Sequence, residues 1–272
     1  MLPEYHPQGK MRATLSGILA DSERGLPDLR ARREELERAA AQVIDPKSFS
    51  ECLINRNIGL IGEVKRRSPS QGAIDLNLDP AQQASQYARG GARAISVLTE
   101  GPHFGGSPAD LRAVASRVDV PVLRKDFILD EVQIIEARSL GAAAVLLIVR
   151  ILPPARLRAL MACARDLGLE SLIETHNAVE LATALEAGSR LIGINSRDLD
   201  TLAIDVPSAW ALVSGVPAGV VAVAESGMAD EADVRLAAAA GADAVLIGTA
   251  LSASSEPEAL ARRLSGVPRV GR

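Results

Sequence analysis

From about residue 59 onward the chain repeats one unit, a short apolar segment followed by an amphipathic stretch, and this repetition limits the fold more than any other feature. Eight segments recur: GLIGEV (59–64), ARAISVLT (92–99), VPVLRKD (120–126), AAAVLLIV (142–149), LESLIET (169–175), RLIGIN (190–195), GVVAVAES (219–226) and DAVLIGTA (243–250). Runs such as PAQQASQYARGGA, EVQIIEARSLGA and EADVRLAAAAGA, with helical spacing, lie between them. Alternation of this kind predicts β/α units around a parallel sheet. Three of the helical runs end in Gly-Ala, at Gly91-Ala92, Gly141-Ala142 and Gly241-Ala242, where glycine supplies a left-handed cap before the next strand. Eight units are compatible with an open doubly wound sheet, but eight is also the number at which a barrel closes around its own side chains. A chain of 272 residues suits one such barrel, typically about 250 residues. The expected fold is therefore α/β, a single (β/α)8 TIM barrel over 1–272.

Residues 11–48 stand outside the repeat. TLSGILADSERGLPDLRARREELERAAAQV has apolar residues at helical spacing, so it predicts a helical extension packed on the barrel, with a break near Gly25 to Pro27. The final GVPRVGR is expected to fray.

Parallel strands covered on both faces should be apolar, because a buried charge is costly unless paired or used. The exceptions fall together. Glu63 and Lys65 share the parity of Ile61, Lys125 that of Leu123, Glu174 that of Leu172, and Asn195 and Arg197 that of Gly193; Glu225 and Ser226 close the seventh segment. Each lies at the C-terminal end of its strand, where barrel enzymes carry their chemistry. A purely structural ring of ion pairs is the competing explanation for any one of them, and it weakens when five strands show the same pattern.

The last two units add an anion signal. Ser226 and Gly227 precede one helix, and Gly248 and Thr249 precede another. Glycine admits close backbone approach and helix N-termini favour anions, so the pair predicts a phosphate site after strands seven and eight. Phe104 and Phe127 follow strands two and three, placed for an aromatic substrate or for pinning their loops.

Other function classes recede. Net charge is −4 and aromatic residues make up 2%, so nucleic acid is not an expected partner. No apolar run approaches the ~18 residues of a membrane helix, and the first residues carry no secretion signal; a cytoplasmic location is expected. Cys52 and Cys163 lack metal-ligand spacing and are expected to be buried thiols. His6, His103 and His176 show no metal pattern, so no metal is expected; His176 follows Glu174 by two, close enough to orient it, although a lone loop histidine is more often solvated. Dinucleotide, P-loop and nucleophile-elbow signatures are missing, and no cofactor is expected.

IGEVKRRSPSQG, ISVLTEGPHFGGS, VPVLRKDFI, LIETH, IGINSRDL, VAESGM and VLIGTAL, in this order, resemble the indole-3-glycerol phosphate synthase family. The resemblance covers about 58 to 251 and reaches the helical extension. It implies ring closure of 1-(2-carboxyphenylamino)-1-deoxyribulose 5-phosphate to indole-3-glycerol phosphate with loss of carbon dioxide and water, in tryptophan biosynthesis, and no cofactor. By the family's motifs, Lys125 is the general acid and Glu174 the base. Lys65 stands by the substrate carboxylate and carbonyl, leaving the division of acid work between the lysines open. Glu63 and Asn195 hold hydroxyls and lysines, and Glu225 and Ser226 complete the polar wall. Gly227, Gly248 and Thr249, helped by Arg197, cradle phosphate, and Ser68, Phe104 and Phe127 meet the anthranilate end. Thr249 departs from the family's more frequent serine, and some seventeen residues precede the extension's helix. The rivals are another phosphosugar barrel, such as phosphoribosylanthranilate isomerase, which the two lysines argue against, and a catalytically silent phosphosugar-binding barrel. Sequence leaves the oligomeric state open, with a monomer the simplest expectation.

Overall fold

In a computed structural model, which describes residues 14–70 and 72–272, the eight apolar segments are the eight strands of a closed barrel. They are β1 (Gly59–Val64), β2 (Ala94–Leu98), β3 (Val122–Lys125), β4 (Ala144–Ile148), β5 (Glu170–Thr175), β6 (Leu191–Asn195), β7 (Val221–Glu225) and β8 (Ala244–Ile247). Each pairs in parallel with its sequence neighbours. The barrel closes where β1 pairs β8, from Gly59 opposite Ala244 to Gly62 opposite Ile247.

Strand parity sorts the side chains. Ile61, Leu123, Leu146, Leu172, Val223 and Leu246 fill the interior. Leu60, Ile95, Val145, Ile173, Ile192 and Val245 face outward against helical residues such as Leu111, Ile134, Leu157, Val234 and Leu264. Burying each of these large aliphatic groups stabilises by roughly 1.5–3 kcal/mol, so the two layers together drive the fold.

The covering helices are α4 (Pro80–Arg89), α5 (Pro108–Ala115), α6 (Glu131–Ser139), α7 (Pro154–Asp166), α8 (Ala178–Glu186), α9 (Val206–Val213), α10 (Glu231–Ala239), the four-residue α11 (Thr249–Ser252) and α12 (Pro257–Ser265). Asp79, Ser107, Asp130, Asn177, Asp205 and Asp230 accept backbone N–H bonds at helix starts, satisfying donors with no intrahelical partner. Gly91, Gly141 and Gly241 have φ of +96°, +89° and +99°, as the Gly-Ala repeats predict.

The extension forms α1 (Leu15–Ala31), α2 (Arg33–Ala40) and α3 (Phe49–Leu53). The expected break at Gly25 to Pro27 is absent: α1 runs through Pro27, and the junction falls at Arg32. Gly25 and Pro27 are exposed, whereas Leu26 and Leu29 anchor the helix against Leu36, Val132 and Ile135 of α2 and α6. Packing on that face outweighs the proline's missing hydrogen bond. His6 and residues 1–13 lie outside the described residues. Phe49 and Leu53 of α3 are fully buried and join the interior cluster. Glu170, at the start of β5, accepts bonds from Phe49 N (2.5 Å) and Ser48 Oγ (2.9 Å), holding α3 under the barrel.

The C-terminal segment is also ordered, against expectation. Arg269 Nη1 and Arg272 Nη2 each lie 2.8 Å from a carboxylate oxygen of Asp243, and Asn57 bridges Pro268. Asp243 is almost fully buried, and two guanidinium groups compensate its charge. Cys52 and Cys163 are half-buried rather than buried, with burial raising both thiols above their ordinary pKa.

Candidate active site

A cavity of about 360 Å³ opens at the C-terminal end of the barrel. Its wall includes every residue that the family resemblance assigns to the site: Glu63, Lys65 and Ser68 from β1 and the loop after it, Phe104, Lys125, Phe127, Glu174, Asn195, Arg197, Glu225, Ser226, Gly227, Gly248 and Thr249. The catalytic candidates are brought to one place because their strands are packed by the same parity that buries Ile61, Leu123 and Leu172 below them.

Lys125 is the hub. Its Nζ lies 2.9 Å from Glu174 Oε2 and 3.5 Å from Glu225 Oε2. Burial by itself would lower the ammonium pKa, but the carboxylates of Glu174, Glu225 and Glu63 outweigh it and raise it. Glu174 answers in kind: burial pushes its pKa up, yet Lys125 and His176 bring it below the usual carboxylate range. Glu225 goes the other way, pushed up to about 8 by burial, with Glu174 and Glu63 adding to the shift against the pull of Lys125. Carboxylates crowded around one lysine are not charged with equal ease: Glu174 is favoured as the charged form and Glu225 as the protonated one. Lys65 forms its own pair with Glu63, at 2.7 Å.

Two glycines make this crowding possible. A Cβ on Gly193 of β6 would collide with Glu225 Oε1, and one on Gly248 with Glu63 Oε1. Gly248 therefore has a part in seating the Glu63–Lys65 pair besides the phosphate role its motif suggests.

β3 is rigidly held from the outside. Arg124, which points away from the cavity, is buried and bonded to Asp126 Oδ2 (3.0 Å), Glu136 Oε2 (2.8 Å) and Gln133 O (2.8 Å). Asp126 in turn accepts Phe127 N at 2.8 Å. Sequence parity marked Lys125 but not this network behind it; the charge of Arg124 inside an apolar strand was the available signal. Phe104 and Phe127 meet with ring centroids 6.2 Å apart, tilted by 39°.

On the opposite wall, Ser226 and Gly227 have φ of +64° and +73°, and Leu202 has +61°. A serine and a leucine in this region are strained, and both line the cavity. Arg197 Nη1 donates to Leu202 O at 3.1 Å, and no carboxylate among the described residues forms an ion pair with it. Partial burial lowers its pKa, against an opposing pull from Glu63.

The extension supplies a wall that sequence reading missed. Leu15 and Ile18 of α1 line the cavity, and Asp21 Oδ2 lies 2.8 Å from His103 Nε2 in the loop after β2. The spacing of Leu15, Ile18 and Leu19 marked an apolar helix face but not what it would cover. His176 is a correction: its side chain is 3% exposed, not solvated, and lies between Glu174 and Glu180.

A family model described as indole-3-glycerol phosphate synthase matches residues 15–264. The chain belongs to the indole-3-glycerol phosphate synthase family. The indole-3-glycerol phosphate synthase of Parafrankia sp. (strain EAN1pec) is 46% identical over 235 residues, covering 85% of this chain and 88% of that protein. Indole-3-glycerol phosphate synthase 2 of Streptomyces coelicolor is 43% identical over 258 residues, covering 94% and 100%. Among solved structures, thiamine phosphate pyrophosphorylase from Pyrococcus furiosus superposes with a TM-score of 0.60 at 16% identity, covering 79% of this chain and 95% of that one. That likeness concerns the barrel alone; membership of the synthase family rests on the first three matches. The family's match begins at residue 15, so it takes in α1 and the wall that α1 lends to the cavity.

Proposed function

We propose that the mouth of this barrel carries out the indole-3-glycerol phosphate synthase reaction with Lys125 as general acid and Glu174 as general base. The chain is a carbon–carbon carboxy-lyase of tryptophan biosynthesis. Its substrate is 1-(2-carboxyphenylamino)-1-deoxyribulose 5-phosphate, and its products are indole-3-glycerol phosphate, carbon dioxide and water. Membership of the family leaves no support for the isomerase or the silent barrel.

The observation that carries the assignment of roles is the 2.9 Å contact between Lys125 and Glu174 inside the cavity. The ring carbon bearing the carboxylate attacks the ketone, and Lys125 gives a proton to the ketone oxygen. Loss of carbon dioxide returns the electron pair to the ring. The hydroxyl then leaves as water with a second proton, and the neighbouring carbon gives up a proton to Glu174. Each proton that Lys125 donates leaves an amine beside Glu174, which raises the basicity of the carboxylate when a base is needed. The direct contact lets the proton gained by Glu174 return to Lys125; the other proton, which balances the carboxylate lost as carbon dioxide, comes from solvent, and with both the pair is reset.

The remaining groups bind and orient. Lys65, paired with Glu63, stands by the substrate carboxylate and carbonyl; Asn195, Ser226 and protonated Glu225 bind hydroxyls. Arg197 with Gly227, Gly248 and Thr249 takes the phosphate, which suits a half-buried cation with no carboxylate paired to it among the described residues, beside the positive-φ backbone of Gly227. Phe104, Phe127 and Ser68 meet the anthranilate ring. The test is to add the carboxyphenylamino ribulose phosphate and follow indole fluorescence: formation of the fluorescent product supports the activity, and its absence with folded protein refutes it.

A further inference from the structure

His176 follows β5 directly and is the one histidine among the described residues that touches a candidate catalytic group. Its Nδ1 lies 3.0 Å from Glu180 Oε2 in α8, and its Nε2 lies 3.3 Å from Glu174 Oε1. A neutral imidazole has one N–H and one lone pair, so in either tautomer one carboxylate would face a lone pair. Only the imidazolium meets both carboxylates as a cation: its Nδ1 bonds Glu180, and its buried Nε2, which has no hydrogen-bond partner, is paired with Glu174 Oε1 by charge.

The clamp on this ring is itself held. Glu180 Oε2 accepts His176 N (2.8 Å) and Glu180 Oε1 accepts Asn177 Nδ2 (2.8 Å), while Arg150, in the 3-10 turn after β4, reaches Glu180 Oε1 at 3.1 Å. Arg150 Nη1 also lies 2.8 Å from Asp198 Oδ2, next to Arg197 in the loop after β6. Alternating charges thus run Asp198, Arg150, Glu180, His176, Glu174, Lys125 from the rim to the centre of the site.

We propose that His176 is a positioning residue for the reaction: clamped by Glu180, it holds Oε1 of Glu174, so that Oε2 is the oxygen presented to Lys125 and the substrate. This deepens the assignment of Glu174 as the base and rests on it. The charged groups that face the ring are Glu174 from β5 and Glu180 from α8, with Lys125, Glu225 and Arg150 one step further. Burial lowers the imidazole pKa, but Glu174 and Glu180 outweigh it and lift it to about 9, consistent with an imidazolium through neutral pH.

The test is the pH dependence of kcat for His176→Gln, with Glu180→Gln and Glu174→Gln alongside and folding followed by thermal melting. His176→Gln removes a positive charge next to the base. Its kcat is expected to fall roughly tenfold or more, the usual size of losing an outer partner that orients a working group. The acidic limb of its profile is expected to move up by about one pH unit or more, because an opposite charge at this distance depresses a carboxylate by that much. In Glu180→Gln the histidine loses its charge at lower pH, so the profile should show a new decline below pH 9. A loss of kcat in His176→Gln without movement of the limb would mean a merely structural ring and would overturn the proposal. If His176→Gln does not fold, Glu180→Gln decides, an unshifted profile again overturning it. Wild-type turnover in Glu174→Gln would instead remove the base assignment beneath both.

Discussion

Lys125 Nζ sits 2.9 Å from Glu174 Oε2 and 3.5 Å from Glu225 Oε2, so one ammonium lies between two carboxylates of opposite tendency. Glu174 is held ionised and Glu225 is pushed toward its protonated form. Position alone thus favours the charged form of one glutamate and the protonated form of the other.

Lys125→Met should lower kcat by roughly 10²- to 10⁴-fold, the usual contribution of a general acid, with the fold intact. Removal of the cation also frees Glu174 from its main counter-charge. Steady-state kinetics that match the wild type would disprove the role.

Glu225→Gln gives a pH signature of stability. The folded-state pKa of Glu225 is raised from 4.5 to about 8, so between these values the folded protein holds a proton that the unfolded chain releases. Stability contributed by this site is present below pH 4.5 and is lost as pH rises toward 8. The melting temperature of the glutamine variant should therefore improve relative to wild type from pH 5 to pH 8. A constant difference over that range would show that Glu225 titrates normally.

Gly193→Ala should retain the fold but lose activity, because its Cβ would collide with Glu225 Oε1. Overpacking of this kind costs roughly 1–3 kcal/mol, and displacement of Glu225 from Lys125 should reduce kcat at least about tenfold. Full activity would mean that the Glu225 carboxylate has room to move without consequence.

Inorganic phosphate should raise the melting temperature by binding the folded state at Arg197, Gly227 and Gly248, and Arg197→Ala should blunt the effect. Equal weak shifts with phosphate and other anions in both proteins would place the phosphate site elsewhere.

Paired replacement of Arg269 and Arg272 by alanine should destabilise the protein by on the order of 3 kcal/mol, since Asp243 would remain a buried carboxylate without a cation. The melting temperature should fall by roughly 5–10 °C, with kcat little changed because both arginines lie at the far end of the barrel.

The repeat of apolar segments made the strands legible, and parity alone brought Glu63, Lys125 and Glu174 to one face. Both signals are local, set by alternation within five or six residues. The unread parts depend on contacts between distant segments. Pro27 stays helical because Leu26 and Leu29 meet α6, His176 is buried because α8 returns Glu180 to it, and the tail is pinned because Asp243 waits at the start of β8. Glu225 was visible as a polar strand end, but its tendency to hold a proton depends on Glu174 and Glu63, which arrive from other strands.

The four charged groups of the central cluster, Glu63, Lys125, Glu174 and Glu225, come from β1, β3, β5 and β7, the alternate strands that in a barrel fill a single storey of the core. Below them the same strands supply Ile61, Leu123, Leu172 and Val223. These charges thus occupy the top storey of the core itself, in places where an inert barrel would keep aliphatic side chains. Evolution toward a sturdier protein would refill that storey with leucine and valine, so this barrel keeps its activity by withholding stability from its own centre.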